Sequence, residues 1–168
     1  MAEAENDETT WEDDVAALRA TRPRHILFLC VANSARSQMA EGLLRALAGE
    51  QFEVFSAGTE PKNGILPEVR EAMREIGVDI SGQRPKSVSE YLGRAVFAHV
   101  ITVCADAEQN CPAVFLGMGT HEHWPFDDPA KADDASRLAL TRRVRGQIEA
   151  HLRSWLTSQG VTPRDLRV

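Results

Sequence analysis

The chain has 168 residues, 43% of them apolar, and only three cysteines, which suits one domain with its own core and leaves no room for a second. Its net charge of −6 is concentrated at the start. Seven acids (Glu3, Glu5, Asp7, Glu8, Glu12, Asp13, Asp14) lie there without a base, and the remainder carries +1, which excludes the basic face of a nucleic-acid binder. The longest strictly apolar run, 26–32, is far short of the roughly 20 residues that cross a bilayer, and the acidic start is unlike a signal peptide. A cytoplasmic protein with no membrane or nucleic-acid partner is expected. In a chain of this length the odd cysteine number reads as reactive thiols or buried apolar residues and not as disulfide staples.

Residues 1–22 form an acidic extension, either a disordered solubilising tail or a short amphipathic helix presenting Trp11, Val15 and Leu18. A domain over 23–158 and a tail over 159–168 follow. The run His25–Cys30 predicts a fully buried strand, followed by a polar loop and then a helix. Ser37 is placed as the cap of that helix, with Met39, Leu43, Leu44 and Leu47 as its apolar face and Gly49 as its end. A strand over 52–56, a helix over 67–76 and a third strand over 100–103 come next. The last helix is expected to start after Asp133 or Asp134, with Leu140, Val144, Ile148, Leu152 and Trp155 on its inner face. This alternation predicts an α/β parallel sheet. In such sheets ligands bind beyond the carboxyl ends of the strands, where Cys30 and Cys104 both fall.

Cys30 and Arg36 bracket a tight loop between a strand and a helix start. Successive backbone N–H groups of such a loop can cradle a tetrahedral oxyanion, helped by the helix end and by a forked guanidinium. The cradle is Val31, Ala32, Asn33, Ser34, Ala35, Arg36 and Ser37, and its field is expected to lower the Cys30 pKa and yield a thiolate nucleophile without a metal. The spacing alone is weak, since a cysteine six residues before an arginine arises by chance in about one chain in four of this composition. The buried strand, the following helix and Ser37 beside Arg36 carry the reading. A second element, His123-Trp-Pro-Phe-Asp-Asp-Pro129, offers an aspartate as general acid for a leaving oxygen, although Asp-Asp-Pro by itself is also an ordinary turn.

Cys30-x-x-Asn-Ser-x-Arg-Ser followed by Gln-Met-Ala-Glu-Gly, with a late Asp-Pro, resembles the low-molecular-weight phosphatase superfamily. Cys104-Ala-Asp-Ala-Glu-Gln-Asn-Cys111-Pro, Glu122-His-Trp and Phe126-Asp-Asp-Pro129 resemble, within it, the thioredoxin-coupled arsenate reductases, over about Arg24 to Trp155. The resemblance implies a single-domain, four-stranded parallel sheet flanked by helices on both faces, as in a low-molecular-weight tyrosine phosphatase. It also implies that Cys30 attacks arsenate, that Arg36 and the loop amides hold its oxygens, and that Asp128 protonates the leaving hydroxide. Cys104 then attacks Cys30 and releases arsenite, Cys111 attacks Cys104, and thioredoxin removes the Cys104–Cys111 disulfide; no cofactor is bound. Phosphate and sulfate would compete for the loop, and a monomer is expected. If residues 104–111 were helical, the two Cα atoms would stand roughly 10.5 Å apart. A disulfide tolerates about 7 Å, so the segment should unwind during turnover.

The potassium site of some relatives is matched by Asn33, Glu41 and Ser56, but Lys86 stands where an acid is expected, so its ammonium is expected in place of the ion. No metal is assigned. Ala35 replaces a further loop cysteine found in some relatives, and Asn33 and Ser34 should shape the loop by hydrogen bonds.

Two other readings stay open. A tyrosine phosphatase would use Cys30, Arg36 and Asp128 and leave Cys104 and Cys111 idle, although Ala130 and Lys131 stand where an aromatic residue usually lines the phosphatase cleft. A zinc module on Cys104, Cys111, His121 and His123 has an unusual cysteine spacing. Glutaredoxin or a small thiol such as mycothiol could replace thioredoxin as donor. His25, His99 and His151 receive no role.

Overall fold

A computed structural model describes residues 10–21, 24–110 and 119–166. Helix α1 spans Trp11–Thr21, and its first turn is closed reciprocally: the Asp13 amide donates to Thr10 Oγ1, while Asp13 Oδ2 accepts from the Thr10 amide at 3.2 Å. Trp11 and Leu18 are exposed, so α1 buries neither of its large apolar residues.

Strand β1 spans Arg24–Cys30, and its last five residues are all buried, as a strand covered on both faces requires. Helix α2, Arg36–Ala48, turns Met39, Leu43, Leu44 and Leu47 fully inward. Each such side chain contributes about 1.5–3 kcal/mol by leaving water. Strand β2 is Phe52–Gly58, and α3 is Pro67–Glu75, opened by a proline whose missing N–H costs a first turn nothing. A 3-10 turn at Val88–Glu90 precedes strand β3, His99–Thr102, which is buried throughout. Helix α4, Ala105–Asn110, is six residues long. Strand β4 is Thr120–His123, a second 3-10 turn covers Pro129–Lys131, and α5 runs from Arg137 to Ser158.

The four strands form one parallel sheet in the order β2-β1-β3-β4. Strand order therefore reverses at β1, and the crevice beyond the carboxyl ends of β1 and β3 is the place where such sheets receive ligands. The single α/β domain of the sequence reading stands. The sequence reading did not delimit β4, whose residues are polar and half-exposed at the sheet edge.

The last helix begins later than Asp133 or Asp134 suggested. Asp133 Oδ1 accepts the Ser136 amide at 2.9 Å and its hydroxyl at 2.6 Å, which spends residues 133–136 on a turn before α5 starts. Val144, Ile148, Leu152 and Trp155 are buried as expected. Beyond α5 the chain packs back onto the domain, with the Arg164 amide donating to Leu47 O at 2.9 Å.

Candidate oxyanion-binding site

The loop after β1 is held open by its own carbonyls. Those of Cys30, Val31, Ala32 and Ser34 accept the amides of Thr59, Glu60, Lys62 and Leu66 at 2.9–3.1 Å, and that of Asn33 accepts Gln38 Nε2 at 3.0 Å. With the carbonyls turned outward, the peptide N–H groups line the inside, which is the arrangement of an anion nest. Close approach at Gly58 permits this, since a Cβ there would stand 2.3 Å from Val31 O. The turn itself is made at Asn33, with φ 49°, in the left-handed region that asparagine tolerates better than most residues.

Cys30 lies at the floor, buried. Its Sγ accepts the Asn33 amide at 3.0 Å and stands 2.8 Å from Ser37 Oγ. Ser37 is thus not the cap the sequence suggested. Ala35 occupies the cap position without a side-chain bond, α2 starts at Arg36, and the Ser37 hydroxyl is spent on sulfur. Asn33 Nδ2 donates to Ser37 Oγ at 2.8 Å and to Ser56 Oγ at 3.0 Å, and Ser56 donates to Glu41 Oε2 at 2.5 Å. Because an amide NH₂ only donates and a carboxylate only accepts, this chain has one direction. Ser37 and Ser56 each accept a bond from Asn33, and Ser56 passes its own proton toward Glu41.

Arg36 reaches across the mouth, donating from Nη1 to Phe126 O at 2.9 Å, with Nη2 3.3 Å from Asp128 Oδ2. The other Asp128 oxygen accepts the Ala130 amide at 3.0 Å, capping the turn Pro129–Lys131. Of the acidic pair, only Asp128 faces the cradle, whereas Asp127 is exposed, 4.0 Å from Arg143.

The expectation of a low Cys30 pKa counts the cradle's field and leaves out the burial that opposes it. Burial pushes the thiol above its ordinary value and the neighbouring Cys104 adds to this. Ser37, the Asn33 amide and Arg36 pull it back only in part. Leu29 lies opposite Thr102 across β1 and β3, neighbouring strands spaced about 4.8 Å, so Cys30 ends β1 and Cys104 follows two residues after the end of β3. Cys104 is buried at 3% exposure, immediately before α4. Cys111 lies outside the described residues.

Lys86 enters the same network. Its amide donates to Asn33 Oδ1 at 2.9 Å and its Nζ donates to Arg84 O at 2.8 Å, standing 3.5 Å from Ser56 Oγ and 3.7 Å from Glu41 Oε2. Burial lowers its pKa, and Glu41 opposes that shift. A potassium ion does not fit where an ammonium already faces both oxygens. Among the described residues no three His, Cys, Asp or Glu side chains converge as a metal set, and that includes His121 and His123. Of the three unassigned histidines, His25 pairs with Glu53 at 2.9 Å and His151 lies against Trp124.

Sequence reasoning missed Gln38, which ties the Asn33 carbonyl and side chain to Arg84 O, and the Phe126 carbonyl that steadies Arg36. Gln38 was visible inside the quoted Gln-Met-Ala-Glu-Gly segment but had no assigned task. A cavity of about 670 Å³ lies behind the loop, between Glu41, Arg45, Lys86 and Tyr91, and not at Cys30. A small tetrahedral anion needs a loop and not a large pocket.

Fold and site together set a backbone loop able to cradle a tetrahedral oxyanion over a buried cysteine at the switch point of a parallel sheet. The chain belongs to the low molecular weight phosphotyrosine protein phosphatase family, whose model matches residues 25–163. It is 41% identical over 132 residues to an arsenate reductase of Halalkalibacterium halodurans, covering 77% of this chain and 93% of that protein. A solved arsenate reductase in the phosphate-binding state is 30% identical, with TM-score 0.69, over 80% of this chain and 98% of its own. The thioredoxin-dependent arsenate reductase of Corynebacterium glutamicum is 32% identical, with TM-score 0.62, over 88% of this chain and 68% of its own.

Proposed function

We propose that this chain is an arsenate reductase, working as a cytoplasmic monomer without a bound cofactor, that passes electrons through three cysteines from thioredoxin. The observation that carries the reading is the placement of two buried thiols, Cys30 and Cys104, at the ends of adjacent strands beside one oxyanion cradle. The similarity to arsenate reductases at 41% identity supports the substrate. The similarity to the thioredoxin-dependent enzyme supports the donor. Among the described residues, no helix is long and apolar enough to cross a membrane.

Arsenate enters the nest of amides from Val31 to Ser37, held by Arg36, with phosphate and sulfate as competitors. The raised Cys30 pKa means that the thiol proton passes to the incoming oxyanion, the nearest base, as sulfur attacks arsenic. Asp128 supplies a proton to the departing oxygen, leaving Cys30 bonded to arsenic(V). The Cys104 sulfur then attacks Cys30 sulfur, giving up its proton. The electron pair of the S–As bond stays on arsenic, which leaves as arsenite, and a Cys30–Cys104 disulfide remains. Cys111 attacks Cys104, restoring Cys30, and the dithiol of thioredoxin reduces the Cys104–Cys111 bond.

The test is arsenate-dependent NADPH oxidation with thioredoxin and its reductase. Wild type should turn over while Cys30→Ser, Cys104→Ser and Cys111→Ser fail, and Cys111→Ser should accumulate the Cys30–Cys104 disulfide. A second reading, phosphate-ester hydrolysis as a side reaction, is favoured by the Cys30, Arg36 and Asp128 geometry. If ester hydrolysis needs only Cys30 and arsenate turnover is absent, the chain is a phosphatase.

A further inference from the structure

Asp128 and the cradle belong to different parts of the chain, yet general acid catalysis requires their spacing to hold within a fraction of an ångström. The start of α3 touches the cradle directly and reaches the Asp128 turn through Arg137 of α5. On one side the Leu66 amide, at its cap, donates to Ser34 O of the cradle at 2.9 Å. On the other, Glu68 Oε1 stands 3.4 Å from Arg137 Nη1, and Arg137 Nη2 donates to Ala132 O at 2.9 Å. Ala132 closes the Pro129–Lys131 turn that Asp128 opens.

Arg137 is held on this path from two sides, since Nη1 also contacts Asp134 Oδ1 at 2.8 Å. Neither Glu68 Oε2 nor Arg137 Nε has a hydrogen-bond partner, although both atoms are buried. A staple that served only to join helices would gain more by satisfying them. The same two helices already have such a staple at their far end, where Glu75 Oε1 meets Arg142 Nη2 at 2.5 Å. That pair touches neither catalytic loop.

We infer that Arg137 and Glu68 are positioning residues, forming with the first turn of α3 a strut that sets the distance between the Cys30 cradle and the Asp128 carboxyl. Its catalytic consequence rests on the reading of Asp128 as the acid in arsenate reduction. Arg137 touches no substrate and acts through the turn that carries Asp128.

The experiment compares Arg137→Ala, the milder Glu68→Gln and the control Arg142→Ala. Hydrogen exchange at the Ala130 amide, which donates to Asp128 Oδ1, should accelerate by about tenfold or more in Arg137→Ala and stay at the wild-type rate in Arg142→Ala. In the arsenate assay kcat should fall about 10- to 100-fold, with KM within about twofold. Arg137→Ala should cost nothing further in an Asp128→Ala background. Unchanged exchange at Ala130 overturns the strut, as does an equal kcat loss in Arg142→Ala or full additivity with Asp128→Ala. Should Arg137→Ala fail to fold, Glu68→Gln gives the same readouts. If wild type shows no arsenate turnover, the proposed function falls, and the exchange result alone decides the strut.

Discussion

Replacing Lys86 by methionine tests how the cradle is supported. The Lys86 ammonium stands 3.7 Å from Glu41 Oε2, and both side chains are nearly buried, at 11% and 7% exposure. At an effective dielectric near 20 their attraction is about 4–5 kcal/mol, but desolvation of the ammonium, with Arg84 and Arg45 nearby, outweighs it, as the lowered Lys86 pKa indicates. Breaking a buried pair by removing one partner costs about 3–5 kcal/mol. Arg45 remains 2.8 Å from Glu41 Oε1, so about 1–2.5 kcal/mol is expected, a fall in Tm of about 3–8 °C for a domain of this size. Thermal unfolding in sodium and in potassium chloride is the assay. The methionine variant should recover stability in potassium and not in sodium, by up to about 2.7 kcal/mol if the salt stands a hundredfold above its dissociation constant. Wild type should be indifferent to the choice, in stability and in turnover. A Tm change under about 1 °C, or a strong potassium requirement in wild type, would refute the reasoning.

The raised pKa of Cys30 sets the sign of two pH effects. Alkylation of Cys30 by iodoacetamide, followed by mass spectrometry, should climb with pH through a midpoint above the usual thiol range, and Ser37→Ala should move that midpoint further up. Below the ordinary thiol pKa, folded and unfolded chains both keep the proton. Above it only the folded chain does, so this thiol's contribution to stability is present at neutral pH and lost as pH rises, which denaturant midpoints at several alkaline pH values will show. A Cys30 midpoint below that of a free thiol would contradict the burial argument. In the oxidised protein, amides of Ala105–Asn110 should exchange faster than in the reduced one, because a helix holds residues seven apart at about 10.5 Å and a disulfide cannot span that. Equal protection in both states would sink the unwinding.

The strand, loop and helix around Cys30 were legible in the sequence because their signals are local. A run of buried apolar residues ending in Cys30, a loop with Arg36, and leucines at helical spacing leave few alternatives. What failed depended on neighbours distant in the chain. Ser37 reads as a helix cap by position, and only the folded loop shows its hydroxyl turned to sulfur. For Cys30 the motif displays the groups that favour a thiolate and conceals the burial that opposes it. Strand β4, Thr-His-Glu-His, has no apolar alternation to betray it, since it pairs only with β3 at the sheet edge. Arg137 is one of several arginines on a long helix, and nothing in its sequence surroundings distinguishes the one that reaches Ala132 O.

In the proposed relay, the pairing of β1 with β3 would act as a gauge for the approach of Cys104 to Cys30. Leu29 faces Thr102, and the Val103 amide continues the ladder to Leu29 O at 3.0 Å. A slip of one residue between these strands would carry the Cys104 backbone about 3.3 Å along the sheet and turn its side chain to the opposite face. In that relay the position of the second thiol is set by backbone hydrogen bonds between the two central strands of the sheet. A side-chain substitution far from either cysteine that loosens this ladder should lengthen the life of the arsenic-bound intermediate while leaving oxyanion capture intact.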